Sequence, residues 1–250
     1  MITLDKLKER PLSYSSLKEF SKSPAHYVAY LNKKVEPTKE MLFGSLVHCM
    51  LLTPSIVLNK FAVMPNIDRR TTIGKQAYED FTKQSEGKDV VTEQDYDDAN
   101  NLINKVISNQ AIAEAIQNCD SFEKEWRYEI NGLPVRGFYD GVAIDYILEV
   151  KTTSDAEPRA ITADFFKRQY HMQAGMYNYV SGKPIKYIII ETKSPYNCYL
   201  ADADDDFVSF GKMKIIESID KFKECLDIGL FDMGYEFYGH LKIGLPGWVK

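Results

Sequence analysis

The 250-residue chain is poor in paired cysteines, long apolar runs and low-complexity sequence, and each lack removes a class of protein. Its four cysteines, Cys49, Cys119, Cys198 and Cys225, lie far apart and form no CxxC pair, which excludes a zinc ribbon or an iron–sulfur cluster and fits a reducing cytosol. No apolar run approaches the roughly 18 residues that span a bilayer. The first ten residues, Met1-Ile-Thr-Leu-Asp-Lys-Leu-Lys-Glu-Arg10, are too charged for a secretory signal. A cytoplasmic protein with no membrane partner is expected. Without repeats or a linker-like stretch, no internal boundary is visible, so the expectation is one domain over 1–250. Its helical N-terminal part, about 1–120, would be integral to it. Basic surface is also scarce: the net charge is −5 and the pI near 5.5. That balance argues against a generally basic nucleic-acid binder but leaves room for a local basic channel. Lys33-Lys34, Arg69-Arg70 with Lys75, and Arg159 with Lys167-Arg168 are the candidates.

What is present is a strand with misplaced charge. In Ile147-Leu-Glu-Val-Lys151 the two-residue period puts Ile147, Glu149 and Lys151 on one face and Leu148 and Val150 on the other. An acid and an amine flanked by Ile, Leu and Val are costly unless paired or bound to a metal. Asp140 lies just upstream, after a short reversal. Two carboxylates beside a lysine suit a hard divalent cation and a water molecule poised to attack phosphorus.

Around this strand the pattern implies helices over Ser13–Leu31, interrupted at Pro24, over Glu40–Leu52, and at about 75–85 and 92–117. Residues 55–75 read as irregular. From Phe122 the apolar period becomes two, and Asn131-Gly132 marks a hairpin between strands ending near 130 and starting near 134. Strands are further expected at 146–152, 185–192 and 198–202, and helices at 160–180 and 206–228. The result is an α/β protein with a central mixed sheet led by a hairpin and flanked by helices.

The order of motifs resembles the PD-(D/E)xK nuclease superfamily: Asp140, eight intervening residues, then Glu149-Val150-Lys151, with Tyr139 in place of the frequent proline. Phe43-Gly-Ser-Leu-Val-His48 resembles the Gly…His helix of the subgroup holding RecB-type domains and phage recombination exonucleases. Tyr170-His-Met-Gln173-Ala-Gly-Met-Tyr177 resembles its QxxxY helix. Leu12-Ser-Tyr-Ser-Ser-Leu-Lys18, Ser23-Pro-Ala-His-Tyr27, Arg70-Thr-Thr-Ile-Gly-Lys75, Glu191-Thr-Lys-Ser-Pro-Tyr196 and Leu245-Pro-Gly-Trp248 extend the likeness to the RecE (exodeoxyribonuclease VIII) type over nearly the whole chain.

The resemblance implies a restriction-endonuclease-like core and a Mg²⁺-dependent exonuclease, with Mn²⁺ as a substitute, degrading double-stranded DNA ends 5′→3′. The product would be a 3′ single strand for a single-strand annealing protein, and a ring-shaped trimer or tetramer is expected. Asp140, Glu149, Lys151 and Gln173 would be catalytic, and His48, Asp140, Glu149 and the Val150 carbonyl would hold metal. Arg69, Arg70, Lys75, Ser15 and Tyr177 would touch DNA. A RecB-type nuclease of other polarity, an endonuclease and a non-cutting DNA-binding module are the alternatives.

Each residue also has a plainer reading. His48 could be a satisfied core histidine, Asp140 a turn cap, and Glu149–Lys151 a simple ion pair. Gln173 and Tyr177, one helical turn apart, could be surface residues. Ser15 and Ser16 could cap a helix rather than meet a phosphate, and Arg69, Arg70 and Lys75 could be a solvated loop. His171 reads as structural and Asp145 as a turn residue. Glu125 is a candidate accessory acid.

Overall fold

In the computed structural model, residues 4–33, 36–235, 239–240 and 242–244 are described. The Leu245–Trp248 motif and Lys34 lie outside them. The chain opens with α1 (Leu4–Glu9), α2 (Tyr14–Phe20), α3 (Pro24–Asn32) and α4 (Lys39–Leu52). A short α5 (Val57–Lys60) leads to β1 (Phe61–Met64) and α6 (Thr72–Gln84). Next come β2 (Asp89–Thr92), α7 (Glu93–Ile107) and α8 (Gln110–Gln117). The main sheet begins with β3 (Cys119–Ile130), β4 (Leu133–Ala143) and β5 (Ile147–Thr153). After α9 (Pro158–Lys167) and α10 (Tyr170–Ser181) come β6 (Ile185–Glu191), β7 (Cys198–Asp202) and α11 (Asp205–Ile228).

The five strands order as β3-β4-β5-β6-β7, antiparallel except for the β5–β6 pair. The α9–α10 crossover between β5 and β6 explains that parallel step, because strands running the same way need a long return. The expected mixed sheet led by a hairpin and flanked by helices is the observed architecture. Asn131 (φ 49°) and Gly132 (φ 81°) adopt the left-handed pair that a two-residue hairpin requires.

Each face of the sheet carries its own core. Ile147, Tyr187 and Ile189 pack with Leu17, Tyr27, Met172, Ile219 and Phe222 on one side. Leu148, Val150, Ile188 and Ile190 pack with Leu46, Leu102, Val106 and Ile112 on the other. The N-terminal helices therefore cover both faces. Two close approaches fix the helices. A Cβ on Gly175 would sit 2.2 Å from the Lys212 backbone nitrogen, so α10 and α11 touch backbone to backbone. A Cβ on Gly44 would sit 2.9 Å from Thr152 Oγ1, so glycine lets α4 lie against the end of β5.

Several boundaries differ from the sequence reading. Residues 55–75 are not irregular throughout: α5 and β1 lie within them, and β1 pairs in parallel with β2, 28 positions away from Phe61 to Asp89. The helix expected over 92–117 breaks at Asn109, whose side chain accepts from the Ile112 N–H and caps α8. The helix over 160–180 breaks at Gln169, which sits at φ 60°. Asp145 lies in the bend between β4 and β5, as expected. Among the described residues no helix is long and apolar enough to cross a membrane.

Candidate active site

The site begins where two strands separate. β4 pairs with β5 at Gly141–Leu148 and Val142–Ile147, next to the turn where the Ala143 N–H donates to the Tyr146 carbonyl. Beyond these pairs the Asp140 carboxylate replaces a backbone partner, with Oδ2 accepting from the Val150 N–H at 2.7 Å. In an extended strand a residue's N–H and C=O point the same way, so the Val150 carbonyl faces this gap too. The Asp140 N–H in turn donates to Glu149 Oε1 at 3.5 Å. Asp140 and Glu149 are thus held together by the backbone of each other's strand.

On the inner side, Glu149 is 1% exposed. Its Oε2 accepts from Lys151 Nζ at 2.9 Å and from Gln173 Nε2 at 2.7 Å. Gln173 spends its other amide hydrogen on the Tyr177 hydroxyl at 3.2 Å. Because a carboxylate only accepts, the Gln173 nitrogen must be the atom facing Glu149. Burial first, and the Asp140 charge second, push the Glu149 carboxyl up to about 7 despite the lysine. Burial works against the Lys151 ammonium, but Glu149 and Asp140 outweigh it and hold its pKa above the usual lysine value. That ammonium also lies 4.9 Å from the centre of the Tyr170 ring.

On the outer side, His48 bridges two acids. Its Nε2 lies 3.1 Å from Asp140 Oδ2 and its Nδ1 3.1 Å from Glu123 Oε1. Both carboxylates can only accept, so both ring nitrogens donate and His48 is an imidazolium. Burial alone would lower its pKa. The hydrogen bonds His48 donates to Asp140 and Glu123 overcome this and raise it to about 10. For Asp140, burial opposes ionisation, yet His48, Lys151 and the Val150 N–H keep its carboxyl below the ordinary range.

Ligand-capable atoms of His48, Glu123 and Asp140 lie within 4.8 Å of one another. Two carboxylates and one imidazole, with no thiolate, fit a hard divalent cation rather than a soft one. Gly44 precedes His48 by four residues on the same side of α4, so the glycine that seats the helix also seats the histidine.

The acid of β3 that reaches His48 is Glu123, not the sequence candidate Glu125. Glu125 instead accepts from Arg127 at 2.9 Å on the exposed hairpin. Glu123 sits at φ 51° in β3, two residues before Glu125. That conformation turns Glu123 toward His48 while the preceding Phe122 also packs with the α4 core. A non-glycine residue there costs about 1–3 kcal/mol and occurs mostly where function requires it. The register of the hairpin, with Phe122 opposite Gly141 and Lys124 opposite Tyr139, brings Glu123 level with Asp140 and was the available signal.

The remaining sequence candidates divide. Tyr177 is buried and bonded to Gln173, not at the surface where a DNA backbone could meet it. Gln173 is likewise buried rather than superficial. Ser15 lies in the first turn of α2, but capping is done by Ser13 and Ser16, which bond reciprocally. Arg69 stacks on Tyr78 at 3.7 Å, Arg70 pairs with Asp68 at 3.0 Å, and Lys75 is exposed in α6. None of these three enters the acid cluster. His171 is buried against Phe166 and Phe210, consistent with a structural residue. Glu191 accepts from the Ala156 N–H and from Asn197, which orders the end of β6.

Residues 13–230 match the family model described as a PDDEXK-like domain of unknown function (DUF3799). A crystal structure of a provisionally named exonuclease from Eubacterium rectale superposes with a TM-score of 0.62 at 12% identity, covering 98% of this chain and 92% of that one. An alkaline exonuclease from Laribacter hongkongensis matches at a TM-score of 0.33 and 11% identity, covering 90% and 94%. The second overlap is too loose to build on, and the first speaks to fold alone. No curated protein matches the sequence. With the family model spanning most of its length, the chain belongs to this PDDEXK-like family, within the PD-(D/E)xK nuclease superfamily.

Proposed function

We propose that this member of the PDDEXK-like family is a divalent-metal-dependent deoxyribonuclease that degrades double-stranded DNA from its ends. The observation that carries the reading is the convergence on one gap of Asp140, Glu149, Lys151 and His48 from three separate elements. Asp140, Glu123 and His48 would hold one ion, Mg²⁺ or Mn²⁺, with the Val150 carbonyl facing the same gap and Glu149 behind it. When bound, such an ion polarises a scissile phosphate and lowers the pKa of a bound water.

The chain's own groups supply the rest. Lys151, its ammonium bonded to Glu149 and its side chain 15% exposed, orients the attacking water and stabilises charge developing on the phosphate. Glu149 holds that ammonium in place, and Gln173 holds Glu149. Tyr177 closes the chain of hydrogen bonds beneath them. Asp140 joins the two groups because it touches both His48 and the Val150 amide.

Motif order supports a finer reading. The resemblance to RecE-type enzymes favours 5′→3′ polarity and a 3′ single-stranded product passed to an annealing protein. It also favours a ring-shaped homo-oligomer, trimeric or tetrameric, in a bacterial cytoplasm. Linear duplex labelled at the 5′ or the 3′ end, and closed circular duplex, should be incubated with Mg²⁺. Early release of the 5′ label from linear DNA, with circles left intact, is expected. Cutting of circles would make the protein an endonuclease, and early 3′ release would reverse the polarity.

A further inference from the structure

The outer face of the β3–β4 hairpin carries charges that the fold does not use. Arg127 and Arg136 are direct cross-strand partners, which places their Cβ atoms about 5 Å apart. Like charges set opposite each other weaken a sheet. Arg127 is balanced by Glu125, but among the described residues Arg136 has no carboxylate partner. Next along the same face stands Phe138, 47% exposed and paired across the strands with Glu125. Tyr139 points inward to stack on Trp126, so Phe138 and Asp140 share the outward side. An exposed phenylalanine and an unbalanced arginine thus lead directly to the acid cluster.

The geometry points to this face as the track for the DNA strand next to the scissile phosphate, with Phe138 as a base-stacking platform and Arg136 as a phosphate contact. The inference rests on the nuclease reading above and adds where the strand lies. Two residues along a strand advance about 7 Å, near two base steps of about 3.4 Å in a stacked strand. Phe138 therefore meets a base close to the phosphate at Asp140, and Arg136 meets the backbone further out. Aromatic stacking is tolerant of sequence because every base has a π-face, while the arginine contributes through charge. Both residues are positioning residues.

The test is fluorescence anisotropy with a labelled mixed-sequence single strand and a blunt duplex, with Ca²⁺ replacing Mg²⁺, across a salt series. Phe138→Ala should weaken single-strand binding about 10-fold with an unchanged salt slope. Phe138→Trp should restore it. Arg136→Gln should reduce the slope of log K against log salt by about one on both probes. Thermal melts check that each variant is folded. Wild-type cleavage with variants that bind as tightly as wild type would overturn the track and leave the nuclease reading intact. Binding weakened as expected in a protein that never cleaves would keep the track and remove the nuclease reading. A wild-type protein that binds neither probe would overturn the track outright.

Discussion

The two sides of the site are built in opposite ways. On the inner side Glu149, Lys151, Gln173 and Tyr177 come from one strand and one helix; Glu149, Gln173 and Tyr177 lie almost entirely out of water and the Lys151 side chain is 15% exposed. Oε2 of Glu149 meets two side-chain donors and Oε1 a backbone N–H. On the outer side His48, Glu123 and Asp140 come from three elements, with side chains 24%, 42% and 16% exposed. The inner side holds charge where water cannot, so it must be saturated by protein donors. The outer side is held by the His48 imidazolium between two acids, whose extra proton a cation can displace. Buried charge fixes geometry, and accessible charge exchanges ligands.

The largest expected contrast follows from exchanging ligands on the outer side. Asp140→Asn should reduce Mn²⁺ affinity by about 100-fold or more and Glu123→Gln by about 10-fold, values typical of lost metal-site partners. Titration calorimetry on folded variants reads this directly. Glu125→Gln, removing the acid that pairs with Arg127 instead, should leave affinity unchanged. If Glu125 mattered and Glu123 did not, the assignment of the outer side would be reversed.

On the inner side the expected effect is one of stability. Gln173→Leu removes a donor from buried Glu149 and should cost about 1–3 kcal/mol in denaturant unfolding. Metal affinity should change little. A large loss of Mn²⁺ binding would show that the two sides are not separable.

The difference in legibility between the sides has a physical cause. Glu149 and Lys151 follow from strand period, whereas Gln173 and Tyr177 entered through the resemblance of their helix to the QxxxY motif. Asp140 and His48 entered through motif order, and Gly44 gave His48 its seat. Glu123 escaped because its place beside Asp140 comes from the register between β3 and β4, not from spacing along one strand. The β1–β2 pair escaped for a related reason: four-residue strands joined in parallel across a helix leave no hairpin signal. Tyr177 was placed at the DNA because sequence spacing shows a shared helix face but not which side of the helix is buried.

A smaller effect separates the sides by pH. Glu149 is raised by burial and by Asp140, so the folded chain holds that proton more tightly than the unfolded one. Its contribution is full below the unfolded carboxyl range and lost as pH climbs through about 7. His48, raised by its two acids, contributes fully below about 6.5 and loses that as pH rises toward about 10. Asp140, lowered, matters only in acid. Without metal, melting temperature should therefore fall between pH 5 and pH 9. Mn²⁺ should oppose the fall, because binding displaces the His48 proton and strengthens as pH rises. Melts with chelator and with Mn²⁺ across that range test both signs.

The smallest effect lies outside both sides. Arg70→Ala removes an exposed pair with Asp68 and should leave the melting temperature almost unchanged. If the loop touches DNA, the salt slope of binding should drop by about one. An unchanged slope would mark Arg70 as a solvated charge.

The most direct test of the central claim joins the two sides through Lys151. End-labelled linear duplex should be digested by wild-type protein with Mg²⁺ and not with chelator. Lys151→Met should cut at least about 100-fold more slowly while binding Mn²⁺ as tightly as wild type. A Lys151→Met protein that digests at the wild-type rate would contradict the account.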